Sequence, residues 1–295
     1  MPRLHDETVD LAFYLYPSED AAKAGKQAGG CGCVVLKPFD RLTTRGALIL
    51  VTNKHVVQQG HRFVRLNRAD GSPPDVVEIE DNHYFPHRGP HDVAAILGIG
   101  NDTSHQIRRH IAYDQLFDSA KAAKDEYDIG IGDDAIMVGR FIGHDGKEIN
   151  RPSVRFGNIS VDVGNMYNTE AGYDEESYAV EMKSKPGYSG SAVLVYALRG
   201  SSQRKSEKKE FVMCLGVNWG HIVEARPLLD ANGKEVEPRQ IIKAPSDMAG
   251  VVPSWRIKEL LNYADVKDLI GAIEAREIAR IGLPAISPET ATGDA

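Results

Sequence analysis

The sequence predicts an all-β protein of the sandwich or barrel type, closed by a C-terminal α-helix. Three observations carry this. Twelve short apolar segments, among them "LAFYLY", "GALILVT", "SYAVEM", "SAVLVYAL" and "FVMCLGVNWG", are punctuated by glycine, proline and Asx residues. They do not alternate with helices, which argues against a parallel α/β sheet. One long amphipathic stretch, "SWRIKELLNYADVKDLIGAIEAREIARI", runs from 254 to 281.

Taken in order, the first strand set ends before residues 104–128. That stretch reads as helical, with apolar Ile107, Ile111, Leu116 and Phe117. A second strand set follows. Its excursion "LLDANGKEVEPRQ" carries an Asn-Gly pair suited to a hairpin tip. Ser254 is expected to cap the last helix, and Gly282 and Pro284 to stop it. The expected organisation is therefore a first β unit with a helical connection over 1–125, a second β unit over 126–253, a helix over 254–283 and a disordered tail over 284–295.

Composition narrows the function classes. Of 295 residues 42% are hydrophobic and 26% charged, the balance of a soluble globular chain long enough for two cores. The net charge of −7 argues against a chain-wide nucleic-acid footprint. The one basic run, "RKSEKKE", is diluted by glutamates and reads as a solvated loop. No run of 18 apolar residues suggests a membrane span, and the first residues lack the apolar core of a secretory signal. Cys31, Cys33 and Cys214 are read as reduced thiols, so a cytoplasmic setting is expected. No metal or cofactor is expected. Cys31 and Cys33 have no second ligand pair at zinc spacing. His83, His87 and His91 recur every four residues, but Pro86 and Pro90 break any helix that would align them.

The chemistry centres on "PGYSGSAV", where Ser189 is framed by Gly187 and Gly190. A serine hydroxyl needs a base, and the base needs an acid to fix its tautomer. Of ten histidines, His55 in "LILVTNKHVV" follows directly on an apolar strand. Asp92 in "HDVAAILGI" opens another, where a carboxylate is costly unless paired. The chain order is His, Asp, Ser. An α/β-hydrolase would run serine, acid, histidine and would place a helix, not the strand "AVLVYAL", after the nucleophile.

With these motifs in that order, the sequence resembles the trypsin-like serine peptidases of the chymotrypsin fold, of the bacterial type. "GGCGCVVL", "VTNKHVV", "HDVAAI", "PGYSGSAV" and "LGVNWGHI" match the family's successive landmarks over roughly residues 10 to 255. The resemblance implies two antiparallel six-stranded β-barrels with the site between them. It implies His55 as general base, Asp92 as its orienting acid and Ser189 as nucleophile. The N–H groups of Gly187 and Ser189 would form the oxyanion hole. Asn218, Trp219 and Gly220 would bind an extended polypeptide substrate, with Lys183 and His221 near the primary specificity pocket. Lys183 at the pocket base would favour an acidic side chain; pointing to solvent, it would leave the pocket apolar.

One residue departs from the pattern. Tyr188 stands where digestive enzymes carry the aspartate that pairs with a newly cut N-terminus, so no such zymogen ion pair is expected. Two readings stay open: a serine endopeptidase, or a protease-fold peptide-binding module that is inactive or switched on by a regulatory partner protein.

Overall fold

In the computed structural model, residues 4–99, 104–140, 147–182, 187–198, 210–236 and 240–282 are described. The N-terminal part contains β1 (Ala12–Tyr16), α1 (Glu19–Ala24), β2 (Gly30–Pro38), β3 (Gly46–Thr52), α2 (Lys54–Gln58), β4 (Phe63–Leu66), β5 (Asp75–Glu78), β6 (Tyr84–Pro86), β7 (Ala94–Ile96) and β8 (Ile111–Ala112). Its strands run in the order β5-β4-β1-β2-β3-β7-β6, with β8 paired to β2. All these pairs are antiparallel except β2 with β8. After α3 (Ala120–Asp125) come β9 (Asp134–Gly139), β10 (Ser153–Asn168), β11 (Tyr173–Glu181), β12 (Ala192–Leu198), β13 (Glu210–Pro227) and β14 (Ile241–Pro253). These six close into an antiparallel barrel in the order β10-β11-β14-β13-β12-β9.

The all-β reading holds, and the second unit is the six-stranded barrel expected. The first unit differs. Among the described residues it has eight strands, and no pairing joins its end strands β5 and β6. Its closing strands are too short to carry a ladder around: β6 and β7 have three residues each, and β6 ends on Pro86, which has no N–H to donate.

The two units share one core. Val35, Ile49, Val51 and Ala95 of the first sheet pack with Ile136, Val138, Ala192, Leu194 and Val217 of the barrel. Val34, on the opposite face of β2, joins Phe13, Leu15, Leu50 and Ile96 in a second cluster. Burial on both faces is why "GCVVL" reads as a continuous apolar run instead of an alternating one. The barrel interior holds Met137, Ile159, Tyr178, Val180, Val193, Leu215 and Val251.

The helical connection expected over 104–128 is mostly irregular. Ile111 and Ala112 form β8, a 3-10 turn covers Tyr113–Gln115, and only α3 is α-helical. The apolar residues that suggested one helix face serve separate clusters. Ile111 and Leu116 enter the shared core, Phe117 the barrel interior, and Ile107 packs on the first sheet's inner cluster. Tertiary burial outweighed helix periodicity.

The C-terminal helix is two helices, α4 (Ser254–Leu261) and α5 (Ala264–Arg280). Ile257, Leu260, Val266 and Ile270 seal the shared core. Ser254 does not cap; its Oγ accepts the Phe117 N–H at 3.0 Å and ties the connection down. The break at Tyr263 turns that ring toward the loop before Asp92. The Arg88 guanidinium lies 4.4 Å from its centroid, and Arg88 N–H donates to its hydroxyl at 3.2 Å. The expected hairpin tip forms: Asp230 Oδ1 accepts the N–H groups of Asn232 and Lys234, and Gly233 takes a φ of 79°. The tail from residue 284 lies outside the described residues.

Candidate active site

β3 delivers the histidine. At its end Thr52 Oγ1 donates to the Cys31 carbonyl at 2.7 Å, and Asn53 Nδ2 donates to the Asp92 carbonyl at 2.6 Å. These bonds fix where α2 begins, and His55 is its second residue. Its backbone N–H donates to Asp92 Oδ1 at 3.0 Å, while its Nδ1 sits 2.5 Å from Asp92 Oδ2. Asp92, placed just before β7, is 0% exposed and His55 5%. A buried carboxylate is stabilised only when its lone pairs are used, and here both oxygens are engaged by one histidine. The pairing leaves His55 Nε2 as the imidazole nitrogen available for chemistry.

Ser189 lies in a turn pinned by both units. Cys31 N–H of β2 donates to the Ser189 carbonyl at 2.8 Å. From β13, the Asn218 carbonyl accepts Gly190 N–H at 2.9 Å, Asn218 N–H donates to Ser191 O at 2.9 Å, and Asn218 Nδ2 donates to Tyr188 O at 3.0 Å. Gly190 has a φ of 87°, and a Cβ there would lie 1.6 Å from the Cys31 carbonyl oxygen, so only glycine fits. Gly187 also has a left-handed φ, 89°. Among the described residues, neither Gly187 N–H nor Ser189 N–H has a hydrogen-bond acceptor. Ser189 Oγ donates to the Trp219 carbonyl at 3.1 Å, and Ser189 is 8% exposed.

Tyr188 anchors this turn from inside. It is 1% exposed and belongs to the barrel core. The Arg155 guanidinium lies 4.4 Å from its ring centroid and donates to its hydroxyl. The residue that departs from the digestive pattern is thus a buried aromatic post held by a cation.

The remaining sequence candidates are placed as follows. Asn218 is buried and committed to the nucleophile turn. Trp219 is 0% exposed; its indole N–H donates to Ser177 Oγ at 3.0 Å and its ring lies against Gly250. Gly220 and His221 pair with Gly250 and Ala249 of β14. Pairing of β13 with β12 ends at Val217 and Asn218 bonds the nucleophile turn, so among the described residues no strand pairs with the other edge of 219–221. Lys183 lies outside the described residues. His87 and His91 stack edge-on at 4.8 Å beside Asp92, and among the described residues no group of three or more His, Cys, Asp or Glu could hold a metal ion. The three cysteines are buried free thiols, and burial raises their pKa values, Cys214 to about 12.

The architecture, an antiparallel sheet packed on a closed six-stranded antiparallel barrel, is of the chymotrypsin-like all-β class. Neither a protein-family model nor a curated protein matches the sequence. Among solved structures, the chain is similar to the MamO protease domain of Magnetospirillum magneticum in its apo form, at 13% identity and TM-score 0.48, covering 88% of this chain and 100% of that one. It is similar to an inactive serine-to-alanine form of Rv3671c from M. tuberculosis H37Rv, at 14% identity and TM-score 0.44, covering 90% and 88%. It is also similar to the HtrA-type protease AlgW with a decapeptide, at 14% identity and TM-score 0.43, covering 88% of this chain and 62% of that one. The strand order and barrel closure above carry the fold class.

Sequence reasoning missed two residues of this neighbourhood. Asn168 Nδ2 donates to Asp92 Oδ2 at 3.3 Å and to Glu175 Oε2 at 2.7 Å. Glu175 Oε1 accepts the Asp92 N–H at 2.6 Å. Burial raises the Glu175 pKa to about 7, against the lowering effect of these two donors. The sequence "YNTEAGYDEE" gave no sign of this, because it reads as an acidic turn.

Proposed function

We propose that the chain is a serine endopeptidase acting through Ser189, His55 and Asp92. The observation that carries this is the buried His55–Asp92 pair, with Nδ1 2.5 Å from Oδ2 and the His55 N–H on Oδ1. This pair leaves Nε2 to act as base in the structural unit that also meets the Ser189 turn. In the reaction Ser189 Oγ leaves the Trp219 carbonyl, gives its proton to Nε2 and bonds to the scissile carbonyl carbon. Asp92 stabilises the imidazolium that results. The N–H groups of Gly187 and Ser189 receive the oxyanion. As the tetrahedral adduct collapses, Nε2 protonates the leaving amine and the C–N bond breaks. Water then repeats the sequence on the acyl-enzyme and restores the serine. The polypeptide adds as a strand along the edge of β13 at 219–221. Three buried free thiols support a reducing, cytoplasmic setting.

A second reading is favoured by the Ser189–Trp219 bond, which engages the nucleophile's hydroxyl proton on a main-chain carbonyl. Here the fold binds peptides and becomes a peptidase only when a partner or ligand frees the hydroxyl. Fluorophosphonate labelling separates the two. Labelling of Ser189 in the isolated chain, abolished in Ser189→Ala, supports the first. No labelling alone, with labelling on adding peptide or partner, supports the second. No labelling under any condition overturns the catalytic assignment.

A further inference from the structure

We infer that Asn168, backed by Glu175, is a positioning residue for the acid of this site, an inference that rests on the triad reading above. The β10–β11 hairpin of the barrel reaches across to the first sheet and grips Asp92 at two points. Asn168 and Glu175 lie at the hairpin's end, in register with Tyr173 and Met166. Glu175 holds the Asp92 backbone N–H, and Asn168 holds the Asp92 carboxylate.

The orientation of the Asn168 amide is dictated by its own turn. Its Oδ1 accepts the N–H groups of Glu170 and Ala171, each at 3.0 Å. That leaves the two Nδ2 hydrogens facing the two carboxylates, one each. Asn168 is 0% exposed, so no solvent competes. The bond to Asp92 is long at 3.3 Å, and its main effect is on direction. With Oδ1 held by His55 N–H and Oδ2 shared between His55 Nδ1 and Asn168, the carboxylate has one rotamer open to it.

Burying a second carboxylate beside Asp92 is expensive, and a hairpin needed only for packing would carry an apolar residue there. Glu175 is instead wholly enclosed, with Oε2 holding the Asn168 amide and Oε1 the Asp92 N–H. The two β units contribute histidine with acid on one side and serine on the other, so their mutual alignment sets the reacting geometry. The Asn168–Asp92 contact is where the serine-bearing barrel touches the acid itself.

The test uses the full chain with Asn168→Ala and Asn168→Ser. The second keeps a hydroxyl acceptor for the turn, adds no charge beside the two carboxylates and withdraws the amide donor, so it decides if the first fails to fold. Two readouts are taken: the low-field proton resonance of His55 Nδ1–H in Asp92's hydrogen bond, which needs no turnover, and the rate of Ser189 labelling by a fluorophosphonate. The expected result is loss of the resonance in both variants, with labelling slowed up to about a hundredfold. Variants that keep the resonance and label within about twofold of the parent overturn the inference and leave the triad reading standing. A parent that shows the resonance but never labels, with the resonance lost in the variants, keeps the positioning role and removes the peptidase reading. A parent without the resonance overturns the inference.

Discussion

The hydroxyl of Ser189 donates to the main-chain carbonyl of Trp219 at 3.1 Å, on the strand edge where an extended peptide would add. Nucleophile and substrate backbone therefore compete for one acceptor. A peptide long enough to lie along 219–221 is expected to displace the hydroxyl, whereas a small ester is not. The expected outcome is a kcat at least about tenfold higher for extended peptides than for single-residue esters with the same leaving group, because remote binding energy is used to organise the reacting groups. Steady-state kinetics on a length series checks it. Equal kcat across the series would remove the coupling.

Tyr188 is a buried ring, and the nucleophile turn hangs on it. Tyr188→Phe keeps the ring under the Arg155 guanidinium and loses one hydroxyl bond, which costs about 1 kcal/mol. Tyr188→Ala empties a site in the barrel core and costs about 3–5 kcal/mol. Urea unfolding of the two variants measures both. A Tyr188→Ala no worse than Tyr188→Phe would show that the ring is not the anchor.

Gly190 and Gly233 separate two reasons for glycine. Both have left-handed φ, but a Cβ at Gly233 meets open space and one at Gly190 strikes the Cys31 carbonyl. Gly233→Ala is expected to cost about 1 kcal/mol, the price of the conformation alone. Gly190→Ala should cost several times more, because backbone on both units must shift, and Ser189 labelling should vanish with it. Parallel melting curves decide. Similar losses in the two variants would mean that Cys31 yields freely.

The His55–Asp92 pair and the Ser189 turn were legible because each candidate residue sits in a local pattern. His55 follows an apolar strand, Asp92 opens one, and Ser189 lies between glycines whose φ values prove left-handed. Their chain order then excluded the competing hydrolase arrangement. What stayed hidden depends on where strands end in space. Asn168 is 76 residues from Asp92, and nothing near it distinguishes a buried amide from a turn asparagine. The helix expected over 104–128 failed for the related reason that Ile107, Ile111 and Phe117 point to different cores. Periodicity reports a common face only when one core receives it.

Glu175 gives the pH prediction. Enclosed with Asp92, it is faced also by Lys54, by Tyr173 and by His91, whose Nδ1 is 4.0 Å away. Its pKa rises from the ordinary 4.5 to about 7. Between those values the folded chain holds a proton that the unfolded chain releases. Stability is therefore lost as pH climbs from 4.5 through 7, and the loss is constant above. His91 works oppositely: burial lowers its pKa to about 4, so the unfolded chain binds the extra proton and stability rises from pH 4 to 6.5. The two slopes mask each other in the parent. In Glu175→Gln the Glu175 slope disappears, while the slopes of His91 and of the other histidines that burial lowers, His61, His87 and His110, stay. The variant's stability relative to the parent should grow between pH 4.5 and 8 by on the order of 3 kcal/mol, whatever fixed offset the new amide adds. Urea midpoints at pH 4.5, 6 and 8 measure it. A difference that does not change with pH would show that Glu175 stays ionised beside Asp92 throughout.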